Sequence, residues 1–141
     1  MRIVMDTDVL VAGLRSRRGA SRQWIWAVLE RRVTLLLSVP LILQYEEVLL
    51  RDEQLAETKL SPDEVGVFLD GLCLVAEAVK IDFLWRPGLR DPGDEMVLET
   101  GANGGADLLL TFNVRDFREA RTFALEIERP GPAWQRYGEE L

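Results

Sequence analysis

Residues 1–10, MRIVMDTDVL, contain the stretch on which the fold turns. Ile3, Val4 and Met5 follow one another with no polar residue between them, the pattern of a short strand buried on both faces. Strands of that kind belong to parallel sheets covered by helices, and in such sheets ligands bind beyond the carboxyl ends of the strands. Asp6 and Asp8 stand at that end. A carboxylate directly after a buried strand needs a partner or a cation, because an unpaired buried charge is costly.

The rest of the chain repeats the alternation. After the loop RSRRGAS, Ser21 can cap a helix running to about Arg31 with Trp24, Ile25, Val28 and Leu29 on one face. Trp24 and Trp26 are two positions apart and cannot share a face, so one belongs to the core and the other to the surface. VTLLLSV at 33–39 reads as a second strand, and Ser38 with Pro40 opens a helix through LILQYEEVLL to near Arg51. SPDE at 61–64 is a helix start, with Ser61 as N-cap and Glu64 three residues on, and predicts a helix to about Cys73. A third short strand falls in LVAEAVKI. Asp91 and Pro92 open a helix to about Ala102, DLLLTF is a strand, NVRDF turns into a short helix, FALEI is a last strand, and the PGP tail closes the domain. GANGG at 101–105 lacks the lysine of a phosphate loop and precedes a strand, so it reads as a helix stop and turn. Alternating strands and helices predict an α/β fold with a parallel sheet covered on both faces, in a single domain over 1–141.

Composition narrows the chemistry. The 141 residues include one cysteine, Cys73, and no histidine. An intramolecular disulfide, Cys/His zinc sites and imidazole catalysis are thereby excluded. Carboxylates, hydroxyls, two lysines (Lys59 and Lys80) or a metal bound through oxygen remain. A net charge of −7 argues against broad attraction to nucleic acid and favours a cation or a basic partner. The sequence has no apolar run of about 18 residues and no secretory start, so a cytoplasmic protein without a membrane partner is expected.

Four acidic stretches converge on the predicted sheet edge: Asp6 and Asp8, Glu46 and Glu47, Asp91 with Asp94 and Glu95, and Asp116. Singly, each has a structural role available as a helix cap, a first-turn charge or a solvated helical face. Together they repel, by roughly 3 kcal/mol per pair at about 5 Å and an effective dielectric near 20, unless a cation neutralises them. Magnesium or manganese suits an all-oxygen site and activates water against a phosphodiester.

IVMDTDVLVAGL, LILQYEEVLL and RDPGDEMVLETGANGGADLLLTFNVRDF, in that order and spanning residue 2 to about 117, together resemble the PIN domain, in the branch of toxin components of toxin–antitoxin systems. The resemblance implies a three-layer α/β/α sandwich with a mainly parallel central sheet. It also implies a Mg²⁺- or Mn²⁺-dependent ribonuclease acting on single-stranded or structured RNA, with a cognate antitoxin as partner and self-association as a further option. Its first acidic position matches Asp6 and its third Asp94, with Asp91 close by. The last block places Asn113 and Asp116 where relatives carry an Asn or Asp and then an Asp. The acidic residue of the central helix falls on Gln44, which is neutral; Glu47, three residues later on the same face, is the expected replacement. Asp6, Asp94 and Asp116 are thus the expected catalytic residues, joined by Glu47 as metal ligands, with Asp91, Asn113 and Gln44 around them.

RSRRGASR places Arg15, Arg17, Arg18 and Arg22 on the first loop, where guanidinium groups suit RNA phosphates if the loop is not simply solvated. Arg115 and Arg118 extend that basic set. Two other functions compete. DTDVL also resembles the nucleophile motif of haloacid-dehalogenase phosphatases, although no lysine follows Lys80. A catalytically weakened PIN-like module that binds protein is the non-enzymatic alternative.

Overall fold

A computed structural model describes residues 1–82, 92–119 and 125–141. The chain runs β1 (Arg2–Met5), α1 (Thr7–Arg15), α2 (Ala20–Leu29), β2 (Thr34–Leu37), α3 (Val39–Leu49), α4 (Asp52–Thr58), α5 (Pro62–Val75), β3 (Glu77–Ala78), α6 (Pro92–Gly104), β4 (Leu108–Leu110), α7 (Val114–Glu119), β5 (Glu126–Glu128) and α8 (Pro130–Tyr137). The five strands form one sheet in the order β3-β2-β1-β4-β5, and every pairing is parallel. With helices on both faces this is a three-layer α/β/α sandwich. Among the described residues no helix is long and apolar enough to cross a membrane.

β1 lies at the centre, and Ile3, Val4 and Met5 are fully buried, as are Leu108, Leu109 and Leu110 beside them. The chain leaves β1 toward β2 and β3, then crosses back to β4 on the other side. Right-handed crossovers in opposite directions place their helices on opposite faces and open a crevice at the carboxyl ends of β1 and β4. That switch point sets the location of the site.

Local signals account for most elements. The capping box is complete: the Glu64 amide donates to Ser61 Oγ (3.1 Å) and the Ser61 amide to Glu64 Oε1 (3.0 Å). Helix α6 passes through Gly101 and ends at Gly104, followed by Gly105 at φ +64°, a left-handed stop that glycine adopts without steric cost. A Cβ at Gly104 would lie 2.8 Å from side-chain carbons of both Leu36 and Val79, so glycine lets the helix end settle on the sheet. Trp24 is fully buried while Trp26 is 51% exposed, resolving the pair as expected.

Other expectations change. Residues 7–15 form helix α1, capped by Asp6, an element the sequence reading did not assign. Helix α2 is capped by Gly19, and Ser21 is buried in its first turn. Helix α4 and helix α8 were not anticipated. Helix α8 exists through a distant contact: Trp134 packs edge-on against Trp24 (ring centroids 5.1 Å apart), and Trp24 Nε1 donates to the Pro130 carbonyl (3.0 Å). The proposed cap Asp91 and the start of the FALEI segment lie outside the described residues.

Candidate active site

The end of β1 and the start of α1 build the site. Asp6 adopts extended backbone angles, φ −64° and ψ 150°, as the N-cap of α1, and its carboxylate is only 4% exposed. The Thr7 amide donates to Oδ1 (2.8 Å) and the Thr111 hydroxyl donates to Oδ2 (2.7 Å). Thr111 follows β4, and its oxygen accepts from the Asn113 amide (2.9 Å), which leaves its proton for Asp6. The Asp6 amide in turn donates to the Leu110 carbonyl (2.9 Å). Both lips of the switch point are thus tied through one carboxylate.

Asp8 enters the same field. Its Oδ2 accepts from the Phe112 amide (3.2 Å), while its Oδ1 is buried with no hydrogen-bond partner. Val9's amide lies near, but its hydrogen goes to the Asp6 carbonyl (3.1 Å). Burial first, then the charge of Asp6 and more weakly that of Asp94, push the Asp8 carboxyl up to about 7, against the pull of the Phe112 and Val9 amides. The mutual repulsion identifies Asp6, Asp8 and Asp94 as electrostatic neighbours. Asp94 is 8% exposed in the first turn of α6, where the positive end of the helix dipole favours a carboxylate.

Helix α3 delivers Gln44 and Tyr45 to this place. The Tyr45 hydroxyl, fully buried, donates to the Met5 carbonyl (2.5 Å), and burial together with Asp6 raises its pKa. Gln44 Nε2 donates to Thr7 Oγ1 (3.1 Å); its Oε1 is buried without a partner. Glu47 is placed differently. Its side chain is 61% exposed and is held by Arg51 one turn on, at 2.8 Å to Nη2. Gln44 therefore meets α1, and Glu47 meets its own helix. Asp116 and Asn113 are exposed around the N-terminus of α7, with the Asp116 amide donating to the Asn113 carbonyl (3.1 Å). Asp91 lies outside the described residues.

The arginines divide as well. Arg15 ends α1, so nine helical residues, about 13 Å at 1.5 Å each, separate it from the Asp6 cap. Arg17 and Arg18 are exposed beyond it, on a loop farther from Asp6 than the sequence suggested. Arg22 donates to the Gly13 carbonyl and to the Leu14 carbonyl (3.3 Å), closing the C-terminal end of α1. Nearer the switch point, Arg115, Arg118 and Arg129 line a shallow pocket with Val114 and Glu128. Thr111 donates its amide to the Glu128 carbonyl (3.1 Å), which puts this pocket next to the residue holding Asp6. Arg129 carried no recognisable sequence signal, standing as it does before the unpredicted α8. Lys80, the last lysine, is 87% exposed after the edge strand β3, paired with Asp82, and offers nothing to a phosphatase reading.

Among the described residues no three carboxylates stand close enough together to close on one ion as they are. The donor set nonetheless fits a hard divalent cation. The oxygens are carboxylate and amide, the neighbouring carboxylates repel one another, and two buried acceptors, Asp8 Oδ1 and Gln44 Oε1, have no hydrogen to accept.

Comparison with known proteins bears on the fold and the family. A chain of VapBC2 from Rickettsia felis, in a crystal structure with a DNA fragment from their promoter, superposes with a TM-score of 0.64 at 12% identity, covering 92% of this chain and 98% of that one. It has the same fold. No curated protein matches the sequence significantly. The family model described as PIN domain matches residues 2–115, a span that takes in Asp6, Gln44, Asp94 and Asn113 and stops one residue before Asp116. Because that match runs from the first strand through the loop after β4, both sides of the crevice included, this chain belongs to the PIN domain family.

Proposed function

We propose that the protein is a metal-dependent ribonuclease that hydrolyses phosphodiester bonds of single-stranded RNA, as the toxin of a toxin–antitoxin pair. The observation that carries this reading is the buried Asp6 carboxylate, held by Thr7 and Thr111 across the switch point of a parallel sheet. Asp6 and Asp94 would hold magnesium or manganese, with Asp116 of α7 as a further carboxylate. The bound ion supplies Lewis acidity toward the phosphodiester and activates the attacking water. The Thr7 amide and the Thr111 hydroxyl orient the Asp6 carboxylate by donating to it. Arg115, Arg118 and Arg129 offset the repulsion between RNA phosphates and an acidic chain, next to the reacting edge.

For the antitoxin, an apolar groove of about 470 Å³ between α2 and α5 is the suited surface. Leu14, Ile25, Trp26, Val67 and Phe68 line it, and Asp63 and Glu64 on its rim suit a basic amphipathic segment.

Asp6→Asn, which keeps the shape and removes the charge, is expected to abolish manganese-dependent cleavage of single-stranded RNA with the fold intact by circular dichroism. Cleavage at the wild-type rate by that variant would overturn the nuclease assignment. One observation favours the second reading, a weakened PIN-like protein-binding module: the acidic position of the family's central helix carries the neutral Gln44. Partner binding without any metal-dependent cleavage by the wild type would decide for it.

A further inference from the structure

We propose that Asp8 is itself a metal ligand and supplies the negative charge that Gln44 leaves out. The inference rests on the metal-dependent reading above and adds to it a residue outside the set of metal ligands that the resemblance implied.

Three observations lead to it. First, the helix position expected to carry an acid holds Gln44, whose Nε2 is spent on Thr7 Oγ1, so the helix contributes an uncharged oxygen at most. Second, Glu47 is exposed and engaged by Arg51, and Asp116 is exposed on α7. Neither has moved into the buried layer that Asp6 and Asp94 occupy. Third, Asp8 has. It sits two residues from Asp6, one oxygen is anchored by the Phe112 amide of the opposite lip, and the other is buried without a hydrogen bond.

That division of labour is what a monodentate ligand needs. The anchored Oδ2 fixes the carboxylate plane, and the unpartnered Oδ1 keeps its lone pairs for a cation. In the metal-free protein this arrangement has no benefit. A buried acceptor without a donor and a carboxylate facing two others both destabilise the fold. A divalent ion removes both costs together. Gln44 Oε1, the second unpartnered acceptor, is on helix α3, which is bound to Thr7 between Asp6 and Asp8 through Gln44 Nε2, and offers an uncharged oxygen there.

The test is calorimetric titration of manganese into the full-length protein at pH 7.5, with urea unfolding of the same variants in EDTA. Asp8→Asn is expected to weaken manganese binding by about tenfold or more while raising metal-free stability, two changes of opposite sign that a purely structural residue would not produce together. In the Asp8→Asn background, Gln44→Glu is expected to restore affinity by returning the lost charge from the other wall. Asp6→Asn and Asp94→Asn serve as references. Should these two bind manganese like wild type, the metal-site reading itself is wrong. Should they lose it while Asp8→Asn stays within twofold of wild type, the site stands and Asp8 is not part of it. Loss of metal-free stability in Asp8→Asn together with loss of binding would likewise assign Asp8 a structural role and overturn the proposal.

Discussion

The metal-free protein should carry a measurable electrostatic penalty at Asp8, and its pH dependence follows from the structure. Burial and the charges of Asp6 and Asp94 raise the Asp8 carboxyl from its ordinary 3.8 to about 7. Between those values the native state holds a proton that the unfolded chain has released, so native stability falls as pH rises. The penalty is absent below about pH 4 and complete above about pH 7. Three pKa units at 1.36 kcal/mol each set a ceiling of about 4 kcal/mol. Asp8 is only partly buried, and solvent screening reduces the expected figure to about 2 kcal/mol. Asp8→Asn removes the charge and retains an acceptor for the Phe112 amide. Urea unfolding of wild type and variant in EDTA, at intervals from pH 4 to 8.5, isolates the effect, since all other carboxylates are common to both. The variant should match wild type near pH 4 and exceed it by about 2 kcal/mol at pH 8. A difference that does not change with pH would refute the account of Asp8.

Four further outcomes are expected. Gly13→Ala places a methyl 2.4 Å from Ile25 Cδ1 and 3.2 Å from the Ser21 carbonyl, so the α1–α2 crossing must open; urea unfolding should show a loss of about 1–3 kcal/mol. Tyr45→Phe removes the donor to the buried Met5 carbonyl at the end of β1 and should cost about 1–3 kcal/mol by the same measurement. Among the basic residues, neutralising Arg115 and Arg129 together should flatten the salt dependence of RNA binding more than neutralising Arg15, Arg17 and Arg18, as fluorescence anisotropy across salt concentrations will show. Arg22→Ala, by contrast, should lower thermal stability through the lost cap on α1.

By itself the sequence determined what is local or periodic. Ile3-Val4-Met5 announced a strand buried on both faces, because an apolar run without alternation has no wet side, and β1 is indeed central. Ser61 and Glu64 announced a helix start, because a capping box is closed within four residues. The order of the acidic blocks placed the fold in its family. What only the tertiary structure decided depends on residues far apart in the chain. Helix α8 needs Trp24, more than a hundred positions away, to hold a segment that opens on Pro-Gly-Pro. Arg22 stands among loop arginines in the sequence, yet in the fold it closes α1. Asp8 reads as an ordinary capping acid until β4 brings Phe112 and α6 brings Asp94 beside it. Burial and charge proximity are properties of surfaces that meet, and no spacing along the chain encodes which surfaces will meet.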